Sequence, residues 1–168
     1  YKPAISNRDS AFYVRSHKVL FGGYPNTTNP ADSQRNGFLY PTILDGNIGN
    51  PSDSTDNSRN VLHILTAERK KVVLNGLKIQ NGFHSLPSPD GMLSGGGGIR
   101  IIQSIVDVDS CTFFNNNTEF AGGALYSRFS QLKLSRSIFA SNRSGEKGGA
   151  VYLETQHTTP IIENCLFS

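Results

Sequence analysis

The chain has no tryptophan, one methionine and two cysteines in 168 residues, and only 17% of its residues are charged. Each scarcity removes a class of protein. Cys111 and Cys165, without CxxC spacing, provide neither a disulfide scaffold nor a zinc or thiol-redox centre. No apolar run approaches the roughly 18 to 20 residues of a membrane-spanning helix, so the segment is not expected to insert into a bilayer. The formal charge of +3 comes from 16 Lys+Arg against 13 Asp+Glu. These basic residues are scattered rather than gathered into a stripe, so no nucleic-acid partner is expected. Strong helix formers are thin, whereas 17 Gly and 8 Pro accompany many Ser and Asn. That mixture rules out a helical bundle and favours short strands joined by turns.

What the chain does contain is a repeat. Gly96-Gly97-Gly98-Ile99-Arg100 returns as Gly122-Gly123-Ala124-Leu125-Tyr126 and as Gly148-Gly149-Ala150-Val151-Tyr152, 26 positions apart each time. A second element follows in Phe113-x-x-Asn116 and Phe139-x-x-Asn142, with Phe167 in the third copy. Between them the alternation has the two-residue period of strands: Ile99, Ile101 / Leu125, Ser127 / Val151, Leu153 on one face, and Arg100, Ile102 / Tyr126, Arg128 / Tyr152, Glu154 on the other. Three short strands per repeat with Gly or Asn at the corners describe one coil of a β-solenoid, in which equivalent residues stack about 4.8 Å apart. The expected fold is therefore all-β, a right-handed parallel β-helix with about 26 residues per coil in the carboxy-terminal half.

Core columns follow by alignment. One is Ile79-Phe113-Phe139-Phe167, and its neighbour is Leu77-Cys111-Ser137-Cys165. The two thiols then stand two coils apart, beyond the roughly 7 Å reach of a disulfide, and are expected to be buried and reduced. The paired glycines answer the need for positive φ or close backbone approach at a repeated corner. Asn116 and Asn142 are expected to stack as an amide ladder. Residues 1–82 are less regular but carry strand-like pieces at 11–14, 19–21, 42–44, 61–65, 72–74 and 77–79. Long polar connections at 22–40 and 45–60 join them, with a similar excursion at 84–94. One domain over residues 1–168 accommodates all of this.

The GGA[IVL] and FxxN elements resemble the repeats of chlamydial polymorphic outer-membrane proteins, a family of surface adhesins. The upstream half is similar to secreted right-handed parallel β-helix proteins of Bacteroidetes and related bacteria. The similarity lies in Tyr1-Lys2-Pro3, Val19-Leu20-Phe21-Gly22-Gly23-Tyr24, Pro41-Thr42-Ile43-Leu44-Asp45-Gly46-Asn47-Ile48-Gly49 and Val73-Leu74-Asn75-Gly76-Leu77-Lys78-Ile79-Gln80-Asn81-Gly82. The resemblance implies an extracellular or cell-surface location. Both ends fall inside repeat patterns, so the chain is expected to be part of a longer solenoid, with its other segments as partners.

Fold and function are separable, so the chemistry has to be sought in particular residues. Arg100, Tyr126 and Tyr152, beside Arg128, form an outward column suited to stacking sugar rings or anchoring a protein; alternatively they simply cover the sheet. Asp107 and Asp109 with Lys133, Ser135 and Glu163 offer carboxylates and a base to a polysaccharide lyase, or else make cross-coil ion pairs such as Asp107–Lys133 and Arg128–Glu154. Asp45, Asp53 and Asp56 supply oxygen ligands for Ca²⁺, or cap turns in a solvated loop. His17, His63, His84 and His157 have no HxH or HExxH spacing, and no serine lies in GxSxG. The expected function is a non-catalytic module for adhesion, display or glycan and protein binding, without a required cofactor. The alternative is a β-helix lyase or glycoside hydrolase acting on acidic polysaccharide, and a passive spacer is the third reading.

Overall fold

In the computed structural model, described for residues 1–3, 7–66, 70–87, 94–155 and 158–168, every strand pairing is parallel. Three five-stranded sheets form the walls. The first runs through Phe12–Val14, Leu62–Leu65, Ile99–Ile102, Leu125–Arg128 and Val151–Glu154. The second takes Lys18–Phe21, Lys71–Asn75, Ile105–Asp109, Gln131–Ser135 and Ile161–Glu163. The third takes Thr42–Asp45, Leu77–Gln80, Thr112–Phe114, Ile138–Ala140 and Leu166–Phe167. Successive strands of each sheet come from successive turns of the chain, the topology of a parallel β-helix.

The register is the expected one. Leu125 pairs with Ile99 and with Val151, and both Leu125 and Ile99 are fully buried. Phe113 pairs with Ile79 and Phe139, and Phe139 with Phe167. The phenyl rings of 113 and 139 lie 4.6 Å apart at 2°, those of 139 and 167 at 4.8 Å and 8°. Parallel strand spacing thus carries the rings into face-to-face contact, with Phe113 and Phe139 wholly inaccessible.

The amide ladder is present and does more than link copies. The Asn142 side-chain oxygen accepts from the Asn116 backbone N–H at 3.0 Å and from its Nδ2 at 3.2 Å. Asn116 Nδ2 also donates to Ile79 O at 2.9 Å, and Asn142 Nδ2 donates to Phe113 O at 3.0 Å. Each amide therefore serves backbone groups that the corner removes from the strand ladders. At the Gly corner, Gly122 takes φ +62°, while a Cβ on Gly123 would meet Arg143 O at 2.3 Å and Gly149 O at 2.4 Å. One glycine supplies the turn and the other the close approach.

Two features lie outside the sequence expectation. A fourth sheet of two-residue strands, Phe83–His84, Asn117–Thr118 and Arg143–Ser144, follows the Asn corner. Ordinary residues also occupy left-handed corners in columns: Ser110, Arg136 and Asn164 at φ +52°, +46° and +54°, and Gln103 and Phe129 at +47° and +53°. The long connections are tied down by arginines. Arg35 donates to Gly22 O at 3.0 Å and stacks on Phe21, while Arg8 donates to Asn57 O at 2.9 Å and Phe83 O at 3.1 Å.

Both cysteines are free. Cys111 is buried, and burial pushes its thiol up to about 11. Cys165 departs from expectation in being only partly covered, because no further strand of the described residues pairs with Leu166–Phe167 beyond Ile138–Ala140. Full alkylation of both thiols in denaturant without reductant is the predicted outcome by mass spectrometry; an unmodified pair would contradict the register. Removing the central ring by Phe139→Ala should cost about 3–5 kcal/mol in chemical denaturation, since it opens a cavity between two stacked neighbours.

Candidate binding face

The outer face of the first sheet carries a continuous column longer than the sequence repeat suggests. Register aligns Tyr13 with His63, His63 with Arg100, Arg100 with Tyr126 and Tyr126 with Tyr152. The Tyr13 and His63 rings sit 5.5 Å apart, the Arg100 guanidinium lies 5.3 Å from the Tyr126 ring centre, and Tyr126 stacks on Tyr152 at 5.7 Å and 15°. Arg15 lies over Tyr13 at 5.1 Å. The stack thus holds two aromatic pairs, Tyr13–His63 and Tyr126–Tyr152, with Arg100 between them.

Tyr126, expected as an accessible ring, is fully buried between Arg100 and Tyr152. Its hydroxyl donates to Glu154 Oε2 at 3.2 Å, and burial followed by the Glu154 carboxylate raises the phenol to about 12. Tyr126 is therefore the buried support of the column, and the surfaces open to solvent belong to its half-buried neighbours Arg100, Arg128 and Tyr152. Arg128 pairs with Glu154 at 3.5 Å and lies over Phe129 at 4.7 Å.

On the second sheet the carboxylates and lysines are joined differently from the expected Asp107–Lys133 pair. Lys71 bonds Asp107 at 2.6 Å and Lys133 bonds Glu163 at 2.8 Å. Asp109 accepts from Asn75 at 2.6 Å, Arg136 at 2.7 Å and Ser135 at 2.8 Å. Stacked strands offer each charge a partner in the coil above and in the coil below, and side-chain reach decides between them.

The loop carboxylates are each taken up by local bonds. Burial acts to raise Asp45, but hydrogen bonds from the Asn47 N–H, Asn81 and Gln80 hold it below the usual range. Asp53 is lowered by the Thr55 hydroxyl and N–H, and Asp56 accepts from the Asn50 N–H at 2.7 Å. Among the described residues no group of three or more His, Cys, Asp or Glu is placed to hold a metal ion. His157 and the Pro89-Asp90-Gly91 part of the 84–94 excursion lie outside the described residues.

Sequence reasoning missed Tyr13 and His63, although both lie in pieces read as strands. Matching Leu62-His63-Ile64 to Ile99-Arg100-Ile101 reveals the column, but the intervening coil is longer than 26 residues and hides the alignment. His63 is largely buried, and its Nε2 has no hydrogen-bond partner among the described residues. Burial, then Arg100 and Arg15, lowers it to about 4; burial and Arg100 bring His84 to about 4 as well. The unfolded chain takes up these protons near pH 6.5, the folded one only near 4. The associated stability is complete above 6.5 and lost as pH falls toward 4, at most about 3 kcal/mol per histidine. Denaturation midpoints at pH 7 and 4.5 should fall less in His63→Gln than in the parent; equal falls would contradict the assignment.

Comparison with protein families matches residues 136–154 to the Chlamydia polymorphic membrane protein repeat. Comparison with curated proteins and with solved structures gives no match. The matched stretch includes Phe139-x-x-Asn142 and Gly148-Gly149-Ala150-Val151, so residues 136–154 carry that repeat and form part of one stacked turn of the β-helix.

Proposed function

We propose that the chain is a non-catalytic, surface-associated β-helix module for display and adhesion, presenting the outer face of its first sheet to a glycan or protein partner. The observation that carries this reading is the match at residues 136–154, since the matched repeat is continuous in register with the coils before it. Two further features support it. The stack is rigid along its length, because each coil is bonded to its neighbours through several sheets. Its outer face also carries Arg100, Arg128 and Tyr152, side chains of the kind enriched where proteins bind partners. The Lys71–Asp107, Lys133–Glu163 and Arg136–Asp109 pairs fit charges that hold coils together.

Beads coated with the protein are expected to adhere to cultured epithelial cells above albumin-coated beads, and Tyr152→Ser should reduce adhesion several-fold while leaving the β-sheet circular dichroism intact. Adhesion no greater than albumin would contradict the proposal. So would unsaturated uronate product, read by ultraviolet absorbance, on incubation with polygalacturonate and Ca²⁺.

A further inference from the structure

An aromatic cleft of about 470 Å³ lies at the corner between the second and third sheets, between the two feet of the 22–40 connection. Phe21 ends the strand Lys18–Phe21, Tyr24 and Asn26 lead away from it, Tyr40 returns the chain to Thr42, and Tyr1 adds a further wall. The volume falls within the roughly 300–1,000 Å³ of small-molecule sites. We propose that this cleft binds a neutral β-linked pyranoside, one or two rings of a glycan, with the C–H faces of the sugar against the aromatic rings. The site is separate from the column of the first sheet and does not depend on it.

Three observations specify that ligand. The first is a set of fixed rings. The Arg35 guanidinium lies 4.4 Å from the Phe21 ring centre and 5.2 Å from that of Tyr24, and it is bonded in turn to Gly22 O at 3.0 Å and to the Asn75 carboxamide. Tyr24 also donates its hydroxyl to Asp32. The connection is tied at its base: the Asn36 N–H donates to Gly23 O at 2.6 Å, the Gly23 N–H to Thr42 Oγ1 at 3.1 Å, and the Tyr40 N–H to Asn36 O at 2.8 Å. A loop closed in this way is a frequent carrier of function, and rings already held lose little freedom on binding. Phe21 and Tyr40 nevertheless leave 47% and 39% of their surface open.

The second is charge. Among the described residues no wall of the cleft is a charged side chain. Asp32 and Arg35, which hold Tyr24 in place, are opposite in sign and neither is a wall. The Tyr1 amine is taken up by Ile43 O at 2.7 Å. A carboxylate or phosphate entering here would lose water without gaining a counter-charge, so the ligand is neutral.

The third is the mixture of wall chemistry. Tyr1, Tyr40 and Thr42 bring hydroxyls and Asn26 a carboxamide, beside the apolar surface of Phe21 and two prolines. A purely apolar occupant would strip water from these polar groups without replacing it. Rings arrive from the sides of both sheets, which suits a ligand apolar on both faces and polar around its rim. A pyranoside with equatorial substituents has that form, with axial C–H groups on each face and hydroxyls at its edge. Aromatic grooves also take proline-rich segments, but these extend about 3.1 Å per residue, and a cleft confined between two feet of one loop favours a compact ring.

Titration of ¹⁵N-labelled protein with methyl β-cellobioside, followed by amide chemical shifts, tests the site. Saturable shifts at residues 22–24, 26, 40 and 42 are expected in the millimolar range, with D-glucuronate and a decaproline peptide much weaker. Tyr40→Ala should weaken binding roughly tenfold. Tyr1→Ala, at a position 80% exposed, should weaken it several-fold, and it decides the matter if Tyr40→Ala does not fold. Absence of saturable shifts, an equal or stronger response to D-glucuronate or decaproline, or parental affinity in the deciding variant would each overturn the assignment.

Discussion

Everything in this structure depends on one constraint: each residue of a coil stands directly on its counterpart in the next. Parallel in-register pairing imposes it, and each column must then tolerate its own repetition. Phenyl rings satisfy this by stacking, as Phe113, Phe139 and Phe167 do. Carboxamides satisfy it because each is both donor and acceptor, as in Asn116 on Asn142. Charges satisfy it by reaching diagonally into the adjoining column, as Lys71 does to Asp107 and Lys133 to Glu163. In the outer column of the first sheet the same rule sets ring against ring at Tyr13–His63 and Tyr126–Tyr152, with Arg100 between the two pairs and against the Tyr126 ring.

The constraint also explains what was legible in the sequence. Columns with a demanding requirement leave a compositional mark: only Gly meets the corner at 122 and 123, and a large apolar side chain fills the centre at 79, 113 and 139. These elements appear as a fixed spacing, so fold, register and core could be read before the structure. Left-handed corners at Gln103, Ser110, Phe129 and Arg136 left no such mark, since they share no side-chain chemistry and are held there by bonds to neighbouring coils, such as Ser110 N–H to Ser135 O at 3.0 Å. The two-residue strands of the fourth sheet are too short to show a period. Partner choice among ion pairs and the burial of Tyr126 depend on side-chain reach across coils, which alternation alone does not encode.

The binding face illustrates the same division. Arg100, Tyr126, Arg128 and Tyr152 were visible because they lie in the regular coils. The aromatic cleft was not, because its walls are brought together by the 22–40 connection, whose polar sequence has no period: Phe21 and Tyr24 stand at one foot, Tyr40 and Thr42 at the other. The regular coils thus build the scaffold, and the irregular half, where coils lengthen and loops are pinned by Arg8 and Arg35, builds concave chemistry on it.

If stability resides in coil-on-coil register, the coil is the unit that can be removed. Excising residues 122–147, one turn at the 26-residue spacing of the Asn116–Asn142 contact, joins Ala121 to Gly148 and restores each column. Chemical denaturation of that deletion, beside one that removes residues 122–146, tests the claim most directly. The account predicts a cooperative transition for the full-coil deletion, at lower denaturant and with a smaller slope, and none for the other, whose alternation is inverted beyond the junction. Equal behaviour of the two deletions would contradict it.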